Sequence, residues 1–174
     1  IILALTVIFS FFLYKRFKLT NSQKEIIEKQ KHLVEEKQKE IVDSITYAKR
    51  IQNTLLANKE MMAVNLPENF VLFKPKDIVS GDFYWITESN KNFYLAVCDS
   101  TGHGVPGAFM SLLNIGFLSE AINEKDISNP NEVFNYARKR LVNSISKDGQ
   151  QDGFDGILLR FNSESQKYSY AAAN

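Results

Sequence analysis

A long stretch without glycine or proline constrains the fold of this chain more than any other feature. Residues 21–58 contain neither residue, and most of them are good helix formers. Apolar or small side chains recur every seven positions along the stretch, as do the a positions of a coiled coil. These are Ile27, Val34, Ile41, Ala48 and Leu55. The stretch is therefore predicted to form one long helix.

The d positions of the same heptads are weaker, because Gln30, Lys37 and Ser44 precede the apolar Ile51. Apolar a and polar d positions favour a marginal parallel homodimer that can rotate or shift in register. Such a coiled coil suits a signal-transmitting linker. The alternative is a solitary amphipathic helix that lies on its own domain.

Residues 1–14 are apolar apart from Thr6 and Ser10, and a basic cluster with Lys15 and Arg16 follows them. A membrane-spanning helix needs about 20 such residues, so the sequence predicts the end of a transmembrane helix that begins upstream of Ile1. A signal peptide would instead carry its basic residues before the apolar run. The basic flank predicts that the remainder lies in the cytoplasm.

Charge separates the two halves of the chain. Residues 1–59 carry 11 basic and 6 acidic side chains, whereas residues 60–174 carry 10 basic and 14 acidic ones. We interpret residues 15–60 as a juxtamembrane and coiled-coil linker and residues 61–174 as a globular domain. Its net negative charge argues against nucleic-acid binding. The single cysteine, Cys98, excludes an internal disulfide and is predicted to be a small buried hydrophobic residue.

The globular domain shows short apolar runs separated by turns, which predict an α+β fold. The expected order is two strands, two helices and two further strands. The strands are predicted at 83–87, 92–98, 154–161 and 168–173, and the helices at 105–123 and 131–146.

Two aspartates lie where strand-like runs meet glycine-containing turns, Asp82 in Ser-Gly-Asp-Phe-Tyr-Trp and Asp99 in Asp-Ser-Thr-Gly-His-Gly-Val-Pro-Gly-Ala. Carboxylates at the end of a sheet are suitable ligands for hard divalent cations such as Mg²⁺ and Mn²⁺. Gly102 and Gly104 would let the backbone approach closely and leave room for an anionic substrate. Turn capping is the alternative role of both aspartates.

Together, residues 74–85 and 97–108 resemble the sporulation-type, stress-regulator-like branch of the metal-dependent PP2C serine/threonine protein phosphatases. The resemblance extends over about 41–174 and implies an α-β-β-α sandwich, incomplete in this sequence. It also implies a centre of two Mn²⁺ or Mg²⁺ ions. Asp99 resembles the carboxylate that bridges both ions, the backbone carbonyl of Ser100 resembles a ligand, and Asp82 resembles a further acidic ligand.

The family also takes an aspartate from a later Asp-Gly motif, and the sequence is expected to end before it. Asp152 or Asp155 could contact a third, weaker ion, or could instead cap a turn. His103 could protonate a leaving alkoxide, or could instead shape the glycine turn between Gly102 and Gly104.

The resemblance implies a membrane-tethered phosphatase that removes phosphate from phosphoserine or phosphothreonine on a regulatory protein. By analogy the substrate resembles an anti-sigma-factor antagonist. The alternative is a signalling or scaffold module that keeps the phosphatase fold and binds partners without turnover.

Overall fold

The computed structural model describes residues 2–56, 59–145 and 152–173. Contacts divide the chain into two compact units, Ile1–Ser44 and Ile45–Asn174. Helix α1 (Ile2–Leu55) provides the described part of the first unit and continues into the second. The predicted long helix is therefore confirmed, and it begins earlier than the sequence pattern indicated.

The first unit exposes the apolar side chains of the predicted coiled-coil stripe, with Ile27, Val34 and Ile41 each at least 60% exposed. Pairing through this stripe stays a prediction. The large apolar residues of 2–3 and 5–14 are likewise exposed on the helix. Among the described helices, the stretch with the length and composition of a membrane span is Gly104–Glu124, which is mostly buried within the second unit. The transmembrane helix end at 1–14 thus also stays a prediction.

The described residues of the second unit form three further helices and one antiparallel sheet. The helices are α2 (Lys59–Asn65), α3 (Gly104–Ser119) and α4 (Pro130–Ile145), and five π-helical residues, Glu120–Glu124, extend α3. The strands are β1 (Phe83–Ser89), β2 (Asn92–Ser100), β3 (Phe154–Asn162) and β4 (Lys167–Ala173). The predicted α+β class is confirmed, with boundaries that differ by a few residues.

The sheet has the order β1-β2-β3-β4, with every neighbouring pair antiparallel. Asn90 and Lys91 form the two-residue connection between β1 and β2, and both have positive φ angles of 48° and 65°. Two consecutive residues with positive φ are typical of the tight hairpin turn whose twist matches that of the flanking strands. Phe83 consequently pairs with Cys98, which brings the start of β1 to the end of β2.

One face of the sheet packs against α3 and α4. Alternate strand residues such as Phe83, Trp85, Tyr94 and Cys98 are buried in this core, together with Leu118 of α3. Burial of Cys98 confirms the packing role predicted for it. Since side chains alternate between the two faces of a strand, the residues between the buried ones point to the opposite, outer face.

The outer face carries a smaller apolar cluster over β1 and β2. Met62 of α2 packs there against Ile86 and Phe93, with Leu66 beside them. Towards β3 the same face is open, and Val97 and Ile157 are both more than half exposed. The aspartates of the two sequence motifs lie along this outer face.

Candidate functional site

Strand alternation and register bring Asp82 and Asp99 together. Asp99 lies between the inward-facing Cys98 and Ser100 at the end of β2, so its carboxylate points to the outer face. Asp82 immediately precedes Phe83, the partner of Cys98, and this position places it beside Asp99. Burial of Phe83 fixes the position of Asp82, which precedes it, and burial of Cys98 fixes that of Asp99, which follows it.

The Asp99 carboxylate lies close enough to Asp82 to affect its ionisation. Partial burial raises the pKa of Asp82, and the hydrogen bond to Asp99 and the negative charge of Asp99 raise it further. Two carboxylates can share a hydrogen bond only if a proton lies between them. The Asp82 carboxyl is therefore in an environment that disfavours its negative charge.

A third carboxylate lies in the same row. Asp155 of β3 is directly opposite Asp99 in the strand register. Asp82, Asp99 and Asp155 all line one open cavity of about 1000 Å³, whose remaining wall is mostly apolar. Like charges at directly opposed strand positions destabilise a sheet. The row formed by Asp82, Asp99 and Asp155 also makes this end of the cavity acidic.

Other predicted site residues lie elsewhere. Asp152 does not line the cavity; its neighbour Gly153 instead accepts a hydrogen bond from the Thr101 N–H at 3.0 Å. Gly102, His103 and Gly104 also lie outside the cavity lining. Within 2–56, 59–145 and 152–173, no three acidic, histidine or cysteine side chains converge as a metal-binding group.

The loop after β2 packs tightly against the segment before β1. A Cβ atom on Gly81 would lie 2.5 Å from the Gly102 carbonyl oxygen and 3.0 Å from that of Ser100. Gly102 and Gly104 adopt φ angles of +90° and +61°, which favour glycine. The backbone carbonyl of Ser100, a predicted ligand, therefore faces Gly81, next to Asp82. The Ser100 side chain is buried and accepts a hydrogen bond from Asn114 Nδ2 at 3.0 Å.

The sequence did not indicate a partner for His103. Its Nδ1 lies 3.0 Å from Oδ2 of Asp77, which is 26 residues earlier in the chain. Both side chains are exposed, His103 more than Asp77. A Cβ on Gly104 would lie 3.4 Å from the same Asp77 oxygen, so Asp77 also lies against the turn that follows His103.

Gln52 of α1 was also missed. Its side chain is 3% exposed, and Nε2 donates to the Ser80 carbonyl oxygen at 2.6 Å and to Ser111 Oγ at 2.8 Å. The Ser80 N–H donates to Gln52 Oε1 at 3.1 Å. A polar residue on a helix gives no signal of such a distant partner. The end of α1 is thereby joined to the segment that leads into Asp82.

The thiol of Cys98 does not contribute a nucleophile. Burial raises its pKa to about 12, so it stays protonated at neutral pH. Gly156 of β3 leaves room for the sulfur, since a Cβ there would lie 2.5 Å from Cys98 Sγ. The functional chemistry of this region is therefore that of carboxylate oxygens.

Comparison with known proteins gives a structural match. No protein-family model matches the chain, and no curated protein does so. Among solved structures, the SiaA-PP2C domain of Pseudomonas aeruginosa is 31% identical and superposes with a TM-score of 0.69. The match covers 78% of this chain and 55% of the other, so the chain spans little more than half of that domain's length. This chain thus contains a helix-and-antiparallel-sheet domain with a PP2C-like, phosphatase-type fold.

Proposed function

We propose that this protein is a metal-dependent phosphatase of the PP2C type that hydrolyses phosphoserine or phosphothreonine on a regulatory protein. The observation that carries the proposal is the proximity of Asp82 and Asp99 at the rim of the sheet. The similarity to the SiaA-PP2C domain supports the same class of reaction.

The carboxylates are suited to two Mn²⁺ or Mg²⁺ ions. These hard cations prefer oxygen ligands and keep several waters. Asp82 and Asp99 would hold the ions, with the Ser100 carbonyl as a backbone ligand, and Asp155 faces the same cavity. The negative row needs a counter-charge, which a divalent cation supplies better than a shared proton does. We propose Asp152 for at most a weak third ion, because it does not line the cavity.

Bound divalent cations would supply a water acidic enough to attack phosphorus. The residues of the chain itself would orient the phosphate ester. The turn at Gly102 and Gly104 exposes backbone next to the motif, and His103 is exposed beside it, so both can contact a phosphorylated side chain. With Cys98 protonated and buried, no thiol competes as nucleophile.

A phosphatase-fold module that binds a partner without turnover is the second candidate. It is favoured by one observation, that the described residues do not bring three metal-binding side chains together. In either case the partner we propose is a phosphorylated regulatory protein resembling an anti-sigma-factor antagonist, and not a nucleic acid.

We also propose that the protein is tethered to a bacterial inner membrane and pairs through α1, with the phosphatase domain in the cytoplasm. Large apolar side chains are exposed along residues 2–3 and 5–14, as on a helix that contacts lipid. The exposed stripe of Ile27, Val34 and Ile41 supports a homodimer. The stripe would carry a signal towards Gln52 and Ser80.

The test is Mn²⁺-dependent release of phosphate from a phosphoserine protein by the full-length protein and its Asp99→Asn variant. We expect turnover in the wild type and a loss of at least about 100-fold in the variant, because a bridging ligand is removed.

A matched control is Asp126→Asn, which removes an exposed carboxylate that accepts a hydrogen bond from Asn90 at the opposite end of the sheet. This control should keep wild-type activity. A folded wild type that binds Mn²⁺ but releases no phosphate would reject the enzyme and favour the binding module.

A further inference from the structure

We infer that Asp77 is a positioning residue, which fixes the orientation and the protonated nitrogen of His103 for donation of a proton to the leaving group. The inference rests on the proposed phosphatase function. It starts from the 3.0 Å contact between His103 Nδ1 and Asp77 Oδ2.

The contact determines which ring nitrogen carries a hydrogen. A carboxylate accepts hydrogen bonds, so Nδ1 keeps its hydrogen and donates it to Asp77. Among the described residues, Asp77 is the hydrogen-bond partner of the His103 ring. Nε2 is therefore the nitrogen left to exchange a proton with a substrate.

The backbone around His103 fixes the position of this pair. The preceding carbonyl, of Gly102, packs against Gly81, one residue before Asp82. The following residue, Gly104, lies against Asp77 and has a φ of +61°. His103 is consequently confined between the two motifs that carry Asp82 and Asp99. An exposed pair contributes little to stability, which makes orientation the main consequence of the contact.

The chemical step uses protonated His103. Water attacks phosphorus, the bond from phosphorus to the serine oxygen breaks, and its electron pair stays on that oxygen. The oxygen takes the proton from Nε2 to become the serine hydroxyl, while Nδ1–H remains bonded to Asp77. The attacking water loses a proton to solvent and leaves in inorganic phosphate, and solvent returns a proton to Nε2.

The test compares two substrates that differ in the leaving group. A serine alkoxide needs a proton to leave, whereas p-nitrophenolate is a stable anion. We expect Asp77→Asn in the full-length protein to lower kcat for a phosphoserine protein roughly 10- to 100-fold, a part of what general acid catalysis supplies. Turnover of p-nitrophenyl phosphate should change by no more than about twofold, because it does not depend on that proton.

His103→Gln should lower turnover of the phosphoserine protein at least as much as Asp77→Asn does, and adding Asp77→Asn to it should have no further effect. Asp77→Glu should retain most of the activity, and Asp126→Asn controls for the lost charge. Equal losses on both substrates would show that Asp77 only maintains structure and would overturn the inference, as would unchanged activity on both. A wild type that hydrolyses neither ester would reject the proposed function itself, and this inference with it.

Discussion

Gln52 and Ser80 are joined by two hydrogen bonds in which the glutamine side chain pairs with the serine backbone. Gln52 Nε2 donates to the Ser80 carbonyl oxygen at 2.6 Å, and the Ser80 N–H donates to Gln52 Oε1 at 3.1 Å. Ser111 of α3 donates to the same Ser80 carbonyl at 3.1 Å. Helix α1, helix α3 and the segment before β1 therefore meet at Ser80, two residues before Asp82. A change in α1 can be transmitted to that aspartate through these contacts.

Replacing Gln52 with alanine should destabilise the domain and lower its activity. The substitution leaves the buried Ser80 N–H without its partner, which costs about 1–3 kcal/mol. Urea unfolding of the variant measures this cost. Gln38→Ala, at an exposed position of the same helix, is the control and should change stability little. Equal stabilities for the two variants would show that the Gln52 contacts are not formed in solution.

Two glycines of α3 should respond to alanine in opposite directions. A Cβ on Gly107 would collide with the Gly102 carbonyl and lie 3.1 Å from Gly81 Cα, whereas nothing lies within 4 Å of a Cβ on Gly116. Gly107→Ala should therefore cost about 1–3 kcal/mol or more. Gly116→Ala should stabilise the exposed helix position by about 0.5–1 kcal/mol. Thermal unfolding of both variants decides the matter, and a stable, fully active Gly107→Ala would contradict the close packing of the two motifs.

The stability of the metal-free protein should depend on pH through Asp82. Its pKa is raised in the folded state, first by burial and then by Asp99, so the folded protein binds this proton more tightly than the unfolded chain. The resulting stabilisation is complete below the ordinary aspartate pKa of 3.8 and is lost as the pH rises through the folded pKa. Asp82→Asn should thus raise the Tm relative to wild type at neutral pH and have little effect in acid.

The measurement is the Tm of both proteins in a chelator across this pH range. Adding Mn²⁺ at neutral pH should raise the Tm of the wild type more than that of the variant, since ligand binding stabilises the folded state. A difference between the proteins that is constant with pH would show that Asp82 does not share a proton with Asp99.

The elements of the domain could be predicted from the sequence, whereas the metal role of Asp82 and Asp99 stays a prediction. Cys98 of β2 was predicted to be buried, and strand alternation places its neighbour Asp99 on the other face. The hairpin between these strands is local, so the convergence of Asp82 and Asp99 followed from short-range pattern alone.

The remaining contacts depend on distant parts of the chain. Asp155 reaches the row only through the register of β2 with β3, more than fifty residues apart. The pairing of His103 with Asp77 and of Gln52 with Ser80 likewise requires the packed domain. Periodicity specifies which face of an element is apolar, but not which element covers it, so these partners could not be deduced.

Calorimetric titration of Mn²⁺ into the metal-free full-length protein measures whether the carboxylate pair binds a metal ion, with Asp99→Asn alongside and Asp126→Asn as control. Mn²⁺ should bind to the wild type and to the control at neutral pH, and Asp99→Asn should lose this binding. Equal affinity in the folded Asp99→Asn variant, or no binding to a folded wild type, would contradict the assignment of the carboxylate pair as a metal site.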